Sequence, residues 1–469
     1  MDHWFALASL LVAPFWALLI FAPRWRVTVK IAESPWIAAP AALAYLVLIL
    51  PRIGAIAPTI MHPSLPGVAA LLGSPVGAFL GWAHFLAFDL FMGRWIFLEA
   101  RRDNLSSLLI SPILYLTLMF GPIGFLTFLM LRAAVRSWRA GQIRRSVASV
   151  LQALNASTPL MLLFWFNVAL IGAATAGLVL DHRIITGAPA WLKPLKFAIS
   201  VAIYSATLAW TLSFLPAGAR IVRALSWTMA SMVGIEMVII PLQAFRGTTS
   251  HFNHSTPLDT VLFGVMGIAI TVLWVAQIVA SAQLLRTKIA DRALALGIRL
   301  GSALTVVGMT VGFLMTAPTA AQMASAAALH VMPVVGAHTV GAPDGGAGLP
   351  FLGWSTRAGD LRVAHFVGLH ALQLLPLAAL LLGLSRWSET VRLRLVGIFG
   401  AGYLGAIGLL VWQALRGESI VRPDGATLGL WSVLSVAVLL IAIIAIFQGR
   451  HEVRTSAIDA GELVGQGGG

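Results

Sequence analysis

The chain contains no cysteine, and this absence removes several classes of site at once. Disulfide bonds, thiolate metal sites, iron–sulfur clusters and covalently attached c-type haem all require cysteine. Charge is also scarce, because Asp, Glu, Lys and Arg together make up only 10% of the 469 residues. Nucleophile-elbow, Walker, dinucleotide-binding and metalloprotease motifs are absent as well. The common soluble enzyme classes that depend on these motifs are therefore not indicated.

What remains is strongly apolar: 59% of the residues are hydrophobic, and the mean hydropathy is +0.90. Apolar runs of about 20 residues recur along the chain, which is the length that an α-helix needs to cross a bilayer. Alternation with a period of two residues is absent, so a membrane β-barrel is not indicated. The sequence predicts an all-α, polytopic integral membrane bundle of about 12 transmembrane helices (four plus eight). The predicted spans are 4–22, 36–51, 77–98, 105–131, 160–180, 195–215, 221–242, 260–284, 294–316, 362–383, 391–412 and 428–448.

A basic segment divides the predicted spans into two groups. It is the link 132–158, whose first 14 residues contain five arginines. We predict a four-helix module at 1–131, a cytoplasmic link at 132–158, an eight-helix bundle at 159–449 and a disordered tail at 450–469. Residues 318–361 would form an ordered outer loop, because this Gly- and Pro-rich stretch also contains Phe351 and Trp354.

The net charge of +14 arises from arginines in the short links between spans, which is typical of a membrane protein and does not indicate a nucleic-acid partner. With the link 132–158 in the cytoplasm, the later eight spans obey the positive-inside rule. The first four do not, so either their number is odd or part of 53–76 re-enters the membrane. The N-terminal segment lacks a cleavage site and is interpreted as a first span. Arginine far outnumbers lysine, which is typical of GC-rich bacterial genomes, so the expected location is a bacterial inner membrane, crossed many times.

The third span, GWAHFLAFDLFMGRWIFLEARR, contains four ionisable residues at intervals of five: His84, Asp89, Arg94 and Glu99. Five residues rotate a helix by about 140°, so the four side chains cannot share one face. Asp89 lies deepest of the four. Placing a carboxylate in hydrocarbon costs about 2.5–3.5 kcal/mol even on the most lenient scales. We therefore expect Asp89 to face protein or a cavity and to have a polar partner within hydrogen-bond reach.

Two motifs carry a family resemblance over about residues 1–135: HFLAFDLFMGRWIF in the third span and YLTLMFGPIGFL in the fourth. They resemble the signature of the abscisic-acid-deficient-four-like membrane proteins, whose plant members are implicated in making the carotenoid neoxanthin from violaxanthin. The resemblance implies a four-helix module that handles an isoprenoid or another long apolar substrate. The resemblance does not assign the family's catalytic residues. From their positions in the third span we expect His84 and Asp89 to be catalytic and Arg94 and Trp95 to bind substrate. The matching positions are His84, Asp89, Gly93, Arg94, Trp95, Gly121, Pro122 and Gly124.

In the second group of spans, the segment RVAHFVGLHALQ opens an otherwise apolar run. On a continuous helix, Arg362, His365, His370 and Gln373 would lie within one arc of about 140°. Ionisable groups inside a membrane usually face the bundle interior and have a function. The alternative is a structural polar seam between helices, and the pattern alone leaves both interpretations open.

We predict that Glu236, His365 and His370 converge in one polar cavity, which the loop 336–361 covers. Glu236 is expected near the membrane midplane, and His370 lies about two turns below the start of its helix. In the alternative, Glu236 pairs with Lys196 and each histidine bonds to a backbone carbonyl separately. The residues expected to bind substrate beside this catalytic group are Asn167, Lys196, Trp354, Arg362 and Gln373.

Several chemistries are compatible with this polar set. Histidines from different helices could ligate haem or a divalent metal, for which the candidates are His251, His254, His365 and His370. Histidine and a buried glutamate could instead move protons or act as general acid and base. The same groups could also bind the head of an apolar ligand without chemistry, or simply pair with one another.

The function that we favour from the sequence is an enzyme, or the accessory of an enzyme, that acts on an isoprenoid, a carotenoid or another lipid. The expected partners are membrane lipid and an isoprenoid or carotenoid substrate, with no nucleic acid. The alternatives are a transporter or channel-like protein, and a membrane redox protein with a His-ligated haem or metal. No inverted repeat or pair of broken helices is visible in the sequence, which argues against transport.

Overall fold

A computed structural model describes residues 2–139, 141–216, 219–385 and 387–466. It confirms the prediction of an all-α membrane protein. Within the described residues, ten helices are long and apolar enough to cross a membrane, and a bent pair of helices brings the number to eleven. A shorter apolar helix, Ala8–Phe21, lies near the N-terminus. The protein is therefore a multi-pass membrane protein.

The chain divides into two compact units, Met1–Arg144 and Arg145–Gly469. The division falls inside the segment that we predicted to be a link. In the structure this segment is helical: one helix continues to Arg139 and the next covers Gln142–Ala156. The domain boundaries themselves stay a prediction.

The first unit is built around a long pair of helices, α6 and α7. Its helices are α1 Asp2–Phe21, α2 Arg26–Glu33, α3 Ala39–Ile49, α4 Ile53–Met61, α5 Leu65–Gly73, α6 Pro75–Arg102 and α7 Ser107–Arg139. Two 3₁₀ turns, Pro35–Ala38 and Leu50–Arg52, flank α3. The α3 segment and its neighbours form one candidate span, Pro35–Met61, which is longer than the predicted 36–51. Trp16, Leu90 and Phe128 lie in the core of this unit.

The second unit contains the eight spans that the sequence predicted. Its helices are α8 Gln142–Ala156, which straddles the division, α9 Thr158–Leu180, α10 Leu192–Leu212, α11 Arg220–Arg246, α12 Pro257–Arg286, α13 Arg292–Leu314, α14 Ala320–Leu329, α15 Leu361–Leu369, α16 Ala371–Gly383, α17 Glu389–Leu415 and α18 Gly425–Gln466. Two antiparallel ribbons lie in its connections. They are β1 Ile184–Ile185 with β2 Ala188–Pro189, and β3 Thr339–Val340 with β4 Gly359–Asp360.

Two predictions differ from the structure here. The predicted span 362–383 is two helices, α15 and α16, which bend by 47° at His370. A helical wheel drawn across His370 assumed one continuous helix, so it misplaced the residues beyond the bend. The predicted disordered tail also differs, because α18 continues to Gln466, while residues 467–469 lie outside the described residues.

A row of glycines on α13 allows α15 and α16 to pack against its backbone. Gly297 and Gly301 lie against the carbonyls of α16, and Gly308 lies against Gly368 of α15. Gly312 completes the row and contacts the ring of His365. Small residues let helix backbones approach closely in membranes, where packing rather than hydrophobicity drives association. The row therefore fixes the position of the bent pair that carries His365 and His370.

We expect Gly308→Ala to lower the free energy of unfolding by about 1–3 kcal/mol, because the new Cβ would overlap the backbone of Gly368. The matched control is Gly264→Ala on α12, where an added Cβ meets nothing within 4 Å. The measurement is thermal or denaturant unfolding of both variants in detergent. Equal stability of the two variants would show that the close approach at Gly308 has no energetic role.

Candidate functional site

Four segments that connect consecutive helices lie at one end of the second unit, and the candidate site is formed there. This loop end comprises 181–191, 247–256, 315–360 and 416–424, which join α9 to α10, α11 to α12, α13 to α15, and α17 to α18. The long connection 315–360 is ordered, as predicted. Asn253 forms a β-bridge with Val334, and the Ser419 hydroxyl donates to the Ser355 carbonyl at 2.8 Å. The connection is therefore tied to its neighbours on both sides and covers the ends of the helices.

The start of α15 is fixed by a buried carboxylate. Asp360 is only 3% exposed and accepts hydrogen bonds from the Ser355 N–H at 2.8 Å and from the Arg362 Nε at 2.9 Å. The Arg362 guanidinium also donates to the Gly353 carbonyl at 2.7 Å. Lys196 donates to the neighbouring Leu352 carbonyl at 2.8 Å. The structure therefore places Arg362 and Lys196, which we expected to bind substrate, where they anchor the loop.

Beneath this loop lies a group of titratable side chains that we call the polar cluster: Lys193, His251, His338 and Asp344. The Lys193 ammonium lies 3.0 Å from the His251 Nδ1, and the Ser250 hydroxyl lies at the same distance from that nitrogen. Burial lowers the pKa of His251 well below its ordinary value, and the Lys193 charge lowers it further. His251 is therefore neutral near pH 7, and its Nδ1 is the acceptor in these contacts.

The second pair of the polar cluster lies in the long connection. The His338 Nδ1 lies 2.6 Å from an oxygen of Asp344, whose carboxylate also accepts the backbone N–H of Thr339 at 2.9 Å. Burial would raise the pKa of Asp344, but these hydrogen bonds and the His338 ring hold it below its ordinary value. Burial lowers the pKa of His338, although the Asp344 contact opposes the shift. The pair is therefore a neutral imidazole oriented by a carboxylate.

The two imidazoles of the polar cluster face each other across a short gap. The ring centroids of His251 and His338 are 6.5 Å apart, and the planes differ by 32°. Phe252 packs on His338 at 4.8 Å, and Phe197 and Phe263 pack on His251 at 6.1 and 6.3 Å. All four members of the polar cluster remain partly accessible. The geometry is that of a polar site with apolar walls.

The predicted convergence of Glu236, His365 and His370 stays a prediction, but the structure gives each of the two histidines a backbone partner. The His365 Nδ1 lies 2.8 Å from the Gly308 carbonyl, and the His370 Nδ1 lies 2.8 Å from the Phe366 carbonyl. Both histidines thus bond to backbone, as in the alternative interpretation. Glu236 interacts electrostatically with Lys193 rather than Lys196, so it approaches the polar cluster from within the membrane.

The remaining candidates of the second unit occupy separate environments. Asn167 is fully buried and donates to the Leu163 carbonyl at 2.8 Å, and Trp354 packs on Phe366 at 5.5 Å. The Gln373 carbonyl oxygen is buried and has no partner among the described residues. His254 packs on Phe263 at 5.6 Å. These side chains do not join the polar cluster as a substrate-binding set.

The metal assignment to His251, His254, His365 and His370 gains no support from the geometry. Across the described residues, no group of three or more His, Asp or Glu side chains is arranged to hold a metal ion. The physical reason is that His365 and His370 use one nitrogen each on backbone carbonyls, while His251 contacts Lys193. A cation beside the Lys193 ammonium would also be repelled.

In the first unit, Asp89 faces the one break in α7. Phe120 has non-helical dihedral angles, and a side chain at the next residue, Gly121, would collide with the Asp89 carboxylate. Asp89 thus faces protein, as expected, but within the described residues it forms no side-chain hydrogen bond. His84 interacts with it electrostatically and packs on Phe88 at 4.6 Å. The two expected catalytic residues are therefore near each other, on a helix opposite a break.

Arg94 and Trp95, which we expected to bind substrate, are occupied by structural contacts. Arg94 donates to the carbonyls of Ser34 at 3.1 Å and Glu33 at 2.9 Å, at the C-terminal end of α2. A cation at this position is favoured by the helix dipole. Trp95 packs against Phe128 at 5.7 Å, and Arg132 lies over its ring. Arg94 therefore holds the short amphipathic helix α2 against α6.

The sequence interpretation missed Lys193, His338 and Asp344 as site residues. His338 and Asp344 lie in HTVGAPDGG, where Gly341, Pro343 and Gly345 favour turns that return the chain on itself. These turn-forming residues were the feature of the sequence that could have indicated the pair, because turns bring His338 within hydrogen-bond distance of Asp344, six residues later. The pairing of Lys193 with His251 depends on tertiary structure and left no signal in the sequence.

Comparison with known proteins finds a family resemblance in the first unit. Residues 3–128 match the family described as ABA DEFICIENT 4-like. The chain is 26% identical over 139 residues to Protein ABA DEFICIENT 4, chloroplastic, from Arabidopsis thaliana. That alignment covers 28% of this chain and 62% of the relative, so the chain spans less than two thirds of the relative's length. No solved structure matches the chain.

Proposed function

We propose that the protein is an integral membrane enzyme, or the accessory of one, that performs acid–base chemistry on an isoprenoid, a carotenoid or another apolar lipid. The observation that carries the proposal is the pair of opposed imidazoles in the polar cluster. His338 bonds to Asp344 through Nδ1, which leaves a lone pair on its Nε2. His251 accepts at Nδ1, which leaves a proton on its Nε2. These tautomers follow from the hydrogen-bond partners.

The two rings, whose centroids are 6.5 Å apart, therefore offer one base and one acid. This arrangement suits an isomerisation in which His338 removes a proton from one atom of the substrate and His251 supplies one to another. Asp344 stabilises the imidazolium that forms on His338, and Lys193 replaces the proton that His251 gives away. The resemblance of the first unit to a family implicated in carotenoid conversion supports an apolar substrate. The phenylalanine rings of Phe197, Phe252 and Phe263 around the two imidazoles support the same class, and the expected location is a bacterial inner membrane.

Hydrogen exchange in heavy water tests this proposal across several lipid classes at once, so the substrate need not be identified first. The full-length protein in lipid nanodiscs is incubated with isoprenoid, carotenoid and phospholipid extracts in D₂O, and the lipids are analysed by mass spectrometry. We expect one isoprenoid or lipid class to gain deuterium or to be converted, and heat-denatured protein to have no effect. If no lipid exchanges or is converted, the enzyme proposal is wrong.

A transporter is the second candidate, and one observation favours it. The helices α15 and α16 are broken at His370 and bent by 47°, and broken helices within a membrane often line a transport path. Ion or solute flux in liposomes, without exchange or conversion of any lipid, would favour this candidate over the enzyme.

A further inference from the structure

Glu236 takes no part in the acid–base chemistry proposed for His251 and His338, although it is a buried carboxyl group inside the membrane. It is only 6% exposed on the membrane-spanning helix α11, among the buried side chains of Val233, Met237 and Ile240. Within the described part of the chain it makes no side-chain hydrogen bond, and its electrostatic partner is Lys193. An isolated carboxylate inside a membrane is costly and marks proton relays and ion paths in membrane proteins. Glu236 must therefore be protonated, paired with Lys193, or alternate between these states.

A continuous series of titratable groups connects Glu236 with the loop end. Glu236 interacts electrostatically with Lys193, whose ammonium lies 3.0 Å from the His251 Nδ1. The ring of His251 lies 6.5 Å from that of His338, and His338 lies 2.6 Å from Asp344. Asp344 is partly accessible in the connection that covers the loop end. The series therefore begins inside the membrane and ends beside water.

The directions of the hydrogen bonds are consistent along this series. Lys193 donates to the Nδ1 of His251, which leaves a proton on the His251 Nε2, and the Nε2 of His338 has a free lone pair. A proton can leave His251 for His338 through one bridging water molecule while His251 receives one from Lys193. Lys193 then takes the proton of Glu236. Glu236 loses one proton, His338 gains one, and each group between them gives one and receives one.

We propose that Glu236 exchanges protons with water at the loop end through Lys193, His251 and His338, with Asp344 stabilising the protonated His338. The second unit thus contains a proton relay from the membrane interior to one face. The relay goes beyond the proposed function, because it operates without any substrate. The protein could fail to exchange deuterium into any lipid while the relay is intact. It could also exchange deuterium into a lipid without a working relay.

The other charges near the relay are fixed by contacts of their own. They are Lys196, Arg362 and His365. Arg362 is paired with Asp360, Lys196 bonds to the Leu352 carbonyl, and His365 bonds to the Gly308 carbonyl. Burial keeps both relay imidazoles neutral near pH 7, as a relay requires of its resting state. These three groups therefore have fixed partners of their own and are not members of the series.

The test is the rate at which the Glu236 carboxyl group gains and loses its proton after a pH jump. The full-length protein in nanodiscs is followed by time-resolved infrared spectroscopy of the carboxylic acid C=O band, which Glu236→Gln assigns. We expect His338→Gln to slow the change by roughly 10²-fold, the lower end of what a positioned proton-transfer group contributes. The midpoint pH should change little, because His338 does not contact Glu236.

The matched control is His254→Gln. His254 lies at the same loop end and packs on Phe263, but it is not a member of the relay. This variant should leave the rate unchanged. His251→Gln should slow proton exchange at Glu236 as His338→Gln does. If one of these variants fails to fold, the other still tests the relay. Unchanged rates in these two variants, or a wild-type protein without a titrating Glu236 band, would overturn the relay.

Discussion

His338→Gln should lower the turnover of the lipid identified by deuterium exchange by about 10²–10⁴-fold, the usual contribution of a positioned general base. The reason is that glutamine can occupy the space beside Asp344 and bond to it but cannot take up a proton. Turnover is measured by mass spectrometry on full-length protein in nanodiscs. Thermal unfolding measured on the same samples shows whether the variant is folded.

The control for this variant is His254→Gln, which should keep wild-type turnover because His254 contacts Phe263 and lies outside the polar cluster. A His338→Gln protein that is folded and as active as the wild type would remove His338 from the chemistry. Equal losses in both variants would point to general damage of the loop end instead.

Asp360→Ala is expected to lower the free energy of unfolding by about 3–5 kcal/mol, the usual cost of removing one partner of a buried ion pair. Asp360 is 3% exposed, and its loss leaves the Arg362 guanidinium partly buried without a counter-charge. It also releases the backbone N–H groups of Ser355 and Arg362. Denaturant unfolding in detergent measures the change.

An ion pair with one exposed partner provides the comparison. Arg102, whose side chain is 73% exposed, pairs with Glu99, which Arg132 also contacts, so Arg102→Ala should cost only about 0–1 kcal/mol. If Asp360→Ala proves as mild as Arg102→Ala, the ion pair at the start of α15 does not hold the connection 315–360 in place.

The spans were predictable because hydropathy over about 20 residues is a strong local signal. All eight spans of the second unit appear in the structure. The break at His370 was not predictable in the same way. It accompanies the packing of α15 and α16 against Gly301 and Gly308 of α13, which is a tertiary contact. A polar arc drawn on one straight helix therefore grouped His365 with His370, although each bonds to a different carbonyl.

The site was only partly predictable for a related reason. His251 was a candidate from its residue type, and Glu236 from its depth in a span. Their partners come from elsewhere in the chain: Lys193 from the start of α10 and His338 from a connection of more than 40 residues. In the first unit, the family motifs did include Asp89 and Gly121 among the matching positions. The structure shows that they touch across two helices.

The pH dependence of turnover directly tests whether His338, oriented by Asp344, is the base. Burial lowers the pKa of His338 below its ordinary value of 6.5. A base acts when neutral, so activity should fall as the pH drops through this lowered pKa. The Asp344 contact raises the pKa of His338, so Asp344→Asn should move the acidic limb to still lower pH. If activity falls at the same pH in the wild type and in Asp344→Asn, His338 is not the base.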